Sequence, residues 1–352
     1  MSKFLSKKYD SLAPYTPGEQ PKERVYIKLN TNESPFPPSK KAIAAAAKEA
    51  ERLMLYSDPE CRDLVKKMAE SFGVGTDSVI MTNGSDEVLN FAFMAYCDEK
   101  TPAVYADITY GFYKVFAAIN NLPSRVIPLR EDFSLNIDDY ISTDGTVFIA
   151  NPNAPTGILL PTSEIERLVK SNPDRVVVID EAYIDFGGES AISLTKKYKN
   201  LLVTGTFSKS RSMAGARLGF GIACPEIIED LTRIRYSTNP YNVNRMTMAA
   251  GVGALSDGEY FKENCRKIIE NREWTKRELT ALGFTFTDSK ANFIFAKSDS
   301  IDGKALYLAL KEKGVLVRHF DAPRISDYNR ITIGNAEEMQ ILVDKIKEIL
   351  NK

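Results

Sequence analysis

Between Ser78 and Ala223 the chain alternates short apolar runs with segments of helical composition. The runs at 78–81, 103–105, 125–129, 147–150, 175–179, 201–203 and 218–223 read as strands. Helical stretches fall among them: one ends at Cys97, one spans 110–120 and one spans 161–170. Strands that alternate with helices form a mostly parallel sheet covered on both faces, because each crossover lays a helix on the sheet. The expected fold class is therefore α/β, with a mostly parallel central sheet in a large domain. In the helix over 161–170, Ser163 and Glu166 have the spacing of a capping box.

The flanks differ from this middle. Residues 1–29 are spaced by Pro14, Pro17 and Pro21 and read as an extended arm lying on the rest of the protein. Residues 29–38 are a second irregular polar stretch. Helices are expected over 39–55 and 60–72, with Tyr56-Ser57-Asp58-Pro59 as the stop between them. Helices dominate 225–282, and strands and helices alternate again from Asn292, enough for a smaller α/β C-terminal domain. The expected division is an arm at 1–29, a large domain at 30–250, and a small domain at 251–352 packing with the arm.

Composition narrows the chemistry. The 352 residues are 43% hydrophobic and carry 46 basic against 47 acidic side chains, a formal net charge of −1. With no basic block in the chain, nucleic acid is not an expected partner. No run reaches the length of a transmembrane helix, and the first eight residues lack the apolar core of a signal peptide. Neither membrane nor export is expected. Cys61, Cys97, Cys224 and Cys265 are scattered and a single histidine, His319, accompanies them. That usage suits a reducing cytoplasm and predicts no metal site. A Ser-His-Asp hydrolase would need His319, and no G-x-S-x-G elbow is present.

Ligands of open α/β sheets bind beyond the carboxyl ends of the strands. After Met81 come Asn83-Gly84-Ser85-Asp86, opening a helix whose free amides suit a phosphate. After Ala150 comes a proline-framed turn, Asn151-Pro152-Asn153-Ala154-Pro155-Thr156-Gly157. After Ile179 come Asp180-Glu181-Ala182-Tyr183, and after the run at 201–203 come Ser208-Lys209 and then Arg217. A lysine at the end of a buried strand sheds its proton more readily, and a neutral lysine forms Schiff bases with carbonyls. Ser208 and Arg217 have the donors a phosphate takes. Each piece has a plainer reading: a basic surface loop, an ordinary helix cap at Gly84-Ser85, a capping Asp180, prolines as punctuation. Taken together they bring a phosphate cradle, an acid, a phenol and a lysine to strand ends. Pyridoxal phosphate needs that set, with the lysine for a Schiff base and the acid against the pyridine nitrogen.

On these residues the sequence resembles the fold-type I aminotransferases of class I/II. The likeness runs from Leu12-Ala13-Pro14-Tyr15 through Leu29-Asn30-Thr31-Asn32-Glu33-Ser34-Pro35 to Arg330-Ile331-Thr332-Ile333-Gly334. The 208–217 segment and Asp180-Glu181-Ala182-Tyr183 are its most specific parts. The resemblance implies the fold-type I transferase fold, with pyridoxal 5′-phosphate in the large domain. It implies that Lys209 is the Schiff-base lysine and proton shuttle, that Asp180 pairs with the pyridinium nitrogen, and that Tyr183 bonds the cofactor 3′-oxygen. Tyr110 would stack on the ring, and Ser208, Arg217 and the amides of Ser85 and Asp86 would bind the phosphate. Tyr56 matches a tyrosine that reaches the cofactor phosphate of the other subunit, which implies a homodimer with active sites at the interface. Arg330 matches the arginine that grips the α-carboxylate of an amino donor. Arg318 and Tyr15 match positions at the phosphate end of histidinol phosphate. Their plainer readings are a solvated or salt-bridged arginine and a tyrosine that packs the arm.

One position departs from the family. The turn usually carries asparagine directly before Pro-Thr-Gly, bonding the cofactor 3′-oxygen, and here that position is Ala154. Tyr183 then acts alone, or Asn153 or a water substitutes. The implied function is ping-pong amino transfer between histidinol phosphate and 2-oxoglutarate. Rivals of like fold are a threonine-phosphate decarboxylase and a broad aromatic aminotransferase. A non-catalytic regulator of this fold would attach a DNA-binding helical domain, for which the short arm before residue 30 leaves no room.

Overall fold

The computed structural model describes residues 2–10 and 12–351. Met1 and Ser11 of the expected arm, and Lys352 of the expected small domain, lie outside the described residues. In chain order the regular elements begin with β1 (Ile27–Lys28), α1 (Lys40–Ala50), α2 (Arg62–Phe72), β2 (Val79–Thr82), α3 (Ser85–Tyr96) and β3 (Ala103–Ala106). They continue with α4 (Phe112–Ile119), β4 (Ser124–Ile127), α5 (Ile137–Ile141), β5 (Thr146–Ala150), α6 (Thr162–Ser171) and β6 (Val177–Asp180). Next are α7 (Ile192–Thr195), β7 (Leu201–Thr206), β8 (Gly219–Ile222), α8 (Pro225–Thr238), α9 (Arg245–Leu255) and α10 (Gly258–Ala281). The last part holds β9 (Phe284–Phe286), β10 (Phe293–Ser298), α11 (Gly303–Glu312), β11 (Val315–Leu316), β12 (Arg318–His319), β13 (Asn329–Thr332) and α12 (Ala336–Leu350).

Seven strands form the main sheet in the order β2-β8-β7-β6-β5-β3-β4. Within it β8 runs antiparallel to both neighbours, and the other pairings are parallel. Because side chains alternate along a strand, each strand feeds two cores. Val177, Ile179, Leu201 and Val203 pack on one face beneath α2, α6 and α9, while Val178, Leu202 and Phe148 pack on the other beneath α3, α4 and α8. Both faces of the central strands are therefore dry, which explains strands that read as continuous apolar runs, while the first three residues of edge strand β4 are exposed.

A second sheet, β12-β13-β10-β9, is antiparallel throughout and has its own core with α10, α11 and α12. The arm is tied to this part: β1 pairs in parallel with β11, and Leu29 is buried in the same core. A smaller cluster of Ala106, Ile108, Leu129, Phe133, Phe295 and Ile325 joins the two sheets.

The expected capping box at Ser163 is absent. Pro161 stands at the N-cap of α6 without a side-chain cap bond, so Ser163 is already inside the helix and cannot play the N-cap part. Glu166 instead takes hydrogen bonds from Lys197 and the Tyr198 hydroxyl, both at 2.7 Å. A true capping box sits at Asn335 and Glu338, opening α12. The expected helix over 39–55 ends at Ala50, and the short strands β1 and β9 were not expected.

Candidate active site

At the carboxyl ends of the central strands Ala150, Asp180 and Thr204 stand side by side in register. Ala150 and Asp180 face a cavity of about 420 Å³ whose walls come from both sheets. Tyr15, Ser85, Asp86, Tyr110, Asp180, Tyr183, Ser208, Lys209, Arg217, Arg318 and Arg330 all line it. Of the expected site residues only Tyr56 does not.

Asp180 ends β6 with its carboxylate buried. Burial, and secondarily the charge of Asp86, pushes its carboxyl up to about 7. The Thr204 and Tyr113 hydroxyls donate to its two oxygens, each at 3.3 Å, and hold it in one orientation. Lys209 follows β7 and donates to the Thr31 carbonyl at 3.2 Å. Burial, with the charge of Arg330 next in weight, brings its ammonium down to about 8. Such a lysine is substantially neutral in mildly basic solution and is available as a nucleophile or proton carrier.

Tyr183 is buried edge-on to Phe293, with its hydroxyl accepting from Asn32 Nδ2 at 2.9 Å. Asn32 Oδ1 in turn accepts from Thr332 Oγ1 at 3.1 Å, which fixes the sense of the amide. Ala154 is buried at the cavity wall. Its neighbour Asn153 does not stand in for an asparagine there. Asn153 Nδ2 donates to the Ile108 carbonyl and to Thr156 Oγ1, and its Oδ1 accepts from Thr109.

A cradle for an anion lies at the start of α3. Gly84, at φ +77°, is its N-cap and no side chain caps the helix, so the first amides are left without intrahelical partners. β8 closes on this point: a Cβ at Gly219 would stand 2.3 Å from Ser85 N, so only glycine fits. The Arg217 guanidinium lies across Gly84 and pairs with Asp86 at 3.1 Å. Tyr110 donates to the other Asp86 oxygen at 2.6 Å. Ser208 Oγ accepts from Thr206 Oγ1 at 2.9 Å.

The two arginines of the C-terminal sheet differ in setting. Arg330 is directed into the cavity from β13, donates to the Asn30 carbonyl at 3.0 Å, and has a buried Nε with no hydrogen-bond partner among the described residues. An orphaned buried donor of this kind is costly unless a ligand takes it up. Arg318 grips the arm, donating to the Thr16 and Pro17 carbonyls at 3.1 Å each. Among the described residues it makes no ion pair, and its side chain stays partly exposed. Tyr15 stacks on Phe112 at 4.3 Å and does pack the arm, while still facing the cavity. Tyr56 is 79% exposed, stacks on Tyr241 at 4.6 Å, and adjoins exposed Leu53, Met54 and Leu55.

Sequence reasoning missed Asn32, Tyr113, Thr204 and Phe320. Asn32 lies in a stretch noticed for its resemblance, but nothing in that stretch shows which hydroxyl it holds. Thr204 was readable in principle, since strand pairing sets it beside Asp180.

This fold and site define a class, and comparison with known proteins supplies its name. The family model described as Aminotransferase class I and II matches residues 24–346, and the chain belongs to that family. Among its relatives is the histidinol-phosphate aminotransferase of Brachyspira hyodysenteriae, 51% identical over 99% of this chain and 99% of the relative. That of Clostridium acetobutylicum is 48% identical over 99% of this chain and all of the relative. The crystal structure of histidinol-phosphate aminotransferase from Sinorhizobium meliloti in complex with pyridoxal-5′-phosphate superposes with a TM-score of 0.90. It is 22% identical and covers all of this chain and 98% of its own, a likeness of fold. Among the described residues no helix is long and apolar enough to cross a membrane.

Proposed function

We propose that this protein is a pyridoxal-phosphate-dependent aminotransferase that moves the amino group of histidinol phosphate to 2-oxoglutarate. The observation that carries this reading is the cavity itself. Lys209 and Asp180 share it at adjacent strand ends, and two arginines of the second sheet share it with them. The residues suit the cofactor on their own chemistry: an uncapped helix start for the phosphate, a perturbed lysine, and a buried acid held by two hydroxyls.

When bound, the cofactor supplies a carbonyl for the amine and a ring that takes up electrons from the substrate Cα. Lys209 would hold it and carry the proton to and from Cα. Asp180 would pair with the ring nitrogen; a cationic partner would return its raised carboxyl to the charged form. Tyr183, fixed by Asn32, would bond the ring oxygen, with Ala154 contributing nothing. Tyr110 would lie against the ring face. The amides of Ser85 and Asp86, with Ser208 and Arg217, would take the phosphate. Arg330 Nε would be satisfied by a substrate carboxylate, and Arg318 and Tyr15 would meet the phosphate of the amine.

The same reading makes the protein a cytoplasmic homodimer with Tyr56 reaching the neighbouring subunit's cofactor phosphate. The exposed strip of Leu53, Met54, Leu55 and Tyr56 supports an interface there. It divides the chain into the arm at 1–29, a large unit at 30–250 and a small one at 251–352; two apolar cores of the main sheet and one centred on the C-terminal sheet, which takes in Leu29 of the arm, support the last two. Helix α9 crosses the last of these numerical limits.

The test is a panel of phosphorylated amines and amino acids offered with 2-oxoglutarate, scored for keto product and carbon dioxide. Histidinol phosphate should be the best donor. Carbon dioxide from threonine phosphate would make it a decarboxylase, and equal use of unphosphorylated aromatic amino acids a broad aminotransferase.

A further inference from the structure

We infer that Arg324 is a positioning residue that sets the distance between the two walls of the substrate cavity. Arg324 lies in the connection from β12 to β13, the segment that leaves the C-terminal sheet and reaches the main one. Phe320, Ala322 and Ile325 of this connection form one wall of the cavity, and Asp107, Ile108 and Thr109, which follow β3, belong to the facing wall. The Arg324 side chain spans the two. It pairs with Asp107 Oδ2 at 3.0 Å and donates to the Leu129 and Arg130 carbonyls at 3.0 and 2.6 Å. Its guanidinium also lies over the Phe133 ring at 5.6 Å.

The far end of this tie is itself fixed. Asp107 Oδ1 accepts the amides of Ile108 and Leu129 at 2.8 and 2.9 Å, so the carboxylate is oriented before Arg324 meets it. The near end is under strain. Arg324 sits at φ +69°, a left-handed conformation that a side chain of its kind adopts only when its surroundings hold it there. Ile325 beside it is buried in the apolar cluster that joins the sheets. The ion pair is partly exposed, at 37% and 29%, and is weak by itself. Strength comes from a planar fork that meets two carbonyls and a carboxylate at once, which lysine cannot reproduce.

The inference rests on the proposed reaction only for its kinetic arm. Lys209 and Asp180 are carried by strands of the main sheet. Loosening the Arg324 tie should therefore weaken substrate binding and spare the cofactor. Arg324→Gln should raise KM for histidinol phosphate about tenfold, with kcat and the dissociation constant for pyridoxal phosphate changed less than about twofold. Arg324→Lys should recover part of the loss by restoring the Asp107 pair, and Asp107→Asn should mimic Arg324→Gln. Deuterium uptake should quicken across 320–328 in Arg324→Gln and stay unchanged across 177–206. Unchanged uptake in 320–328 overturns the inference, as does cofactor affinity that falls in step with KM. A wild-type protein inactive on histidinol phosphate would refute the proposed function, while the exchange measurement would still decide the role of Arg324.

Discussion

Asn32 donates its amide to the Tyr183 hydroxyl across a gap of 151 residues in sequence. The bond places a polar group beside the phenol, and its partner Thr332 lies on the C-terminal sheet. If Tyr183 bonds the cofactor oxygen, Asn32 sets its donor strength. Asn32→Ala should move the midpoint of the cofactor's visible pH titration by up to about one unit, the worth of one hydrogen bond. Ala154→Asn in that background should move it back. An unmoved midpoint in Asn32→Ala would separate Tyr183 from the cofactor.

Lys209 should carry the cofactor. Borohydride treatment of the loaded protein should leave the adduct on the Lys209 peptide and on no other. Its ammonium is brought down to about 8, so attachment to the apoprotein should speed up as pH rises to about 8 and level off there. A rate still climbing toward the ordinary lysine range would mean the amine that reacts is not this one.

Replacing Asp180 by asparagine removes the charge opposite the ring nitrogen while leaving the Thr204 and Tyr113 hydroxyls a partner. Removal of the substrate Cα proton should slow by orders of magnitude, with cofactor binding retained. Turnover near that of the wild type would exclude Asp180 from the chemistry.

Arg330 and Arg318 should be separable by substrate. Arg330→Ala should damage the glutamate half-reaction, and Arg318→Ala should damage kcat/KM for histidinol phosphate by about tenfold to a hundredfold. Arg318 also clasps the Thr16 and Pro17 carbonyls, so its loss should make the arm more open to protease. Equal losses for phosphorylated and unphosphorylated amines, with the arm loosened, would reduce Arg318 to a clasp.

Glu181 supplies a test through stability. Burial pushes its carboxyl up to about 8, against the hydrogen bonds it accepts from Ser190 and the Ala191 amide. An acid whose folded value exceeds its unfolded value holds extra protons when folded, so the apoprotein loses stability as pH rises from about 4.5 through about 8. Glu181→Gln should flatten that decline in denaturant melts. An equally steep decline would assign it to other groups.

The main sheet and its strand ends were legible because burial on both faces leaves short runs rich in valine and isoleucine bounded by turn residues. Lys209 and Asp180 were legible by the same route, each falling where a strand stops, and Arg217 falls just before the next strand starts. Asn32 was not, since its partner is fixed by a long-range approach that no local pattern encodes. Arg318 is expected at the substrate phosphate or as a solvated or salt-bridged arginine, and neither expectation includes the arm, which it shares because a guanidinium satisfies carbonyls and anions with the same donors. The Ser163 spacing misled for a simple reason: the motif needs its serine at the N-cap, and proline holds that place.

The place of β8 has a consequence for the order in which this molecule comes into being. β2 emerges from the ribosome early, yet its only neighbour in the sheet is β8. Until β8 is made, β2 has an unpaired edge, and the start of α3 lacks Arg217, which lies 131 residues beyond Asp86. A nascent chain halted before Arg217 would thus expose a strand edge prone to pairing with another chain. It would also hold no completed cradle for an anion, so the phosphate end of the site is among the last parts of the main sheet to form during translation.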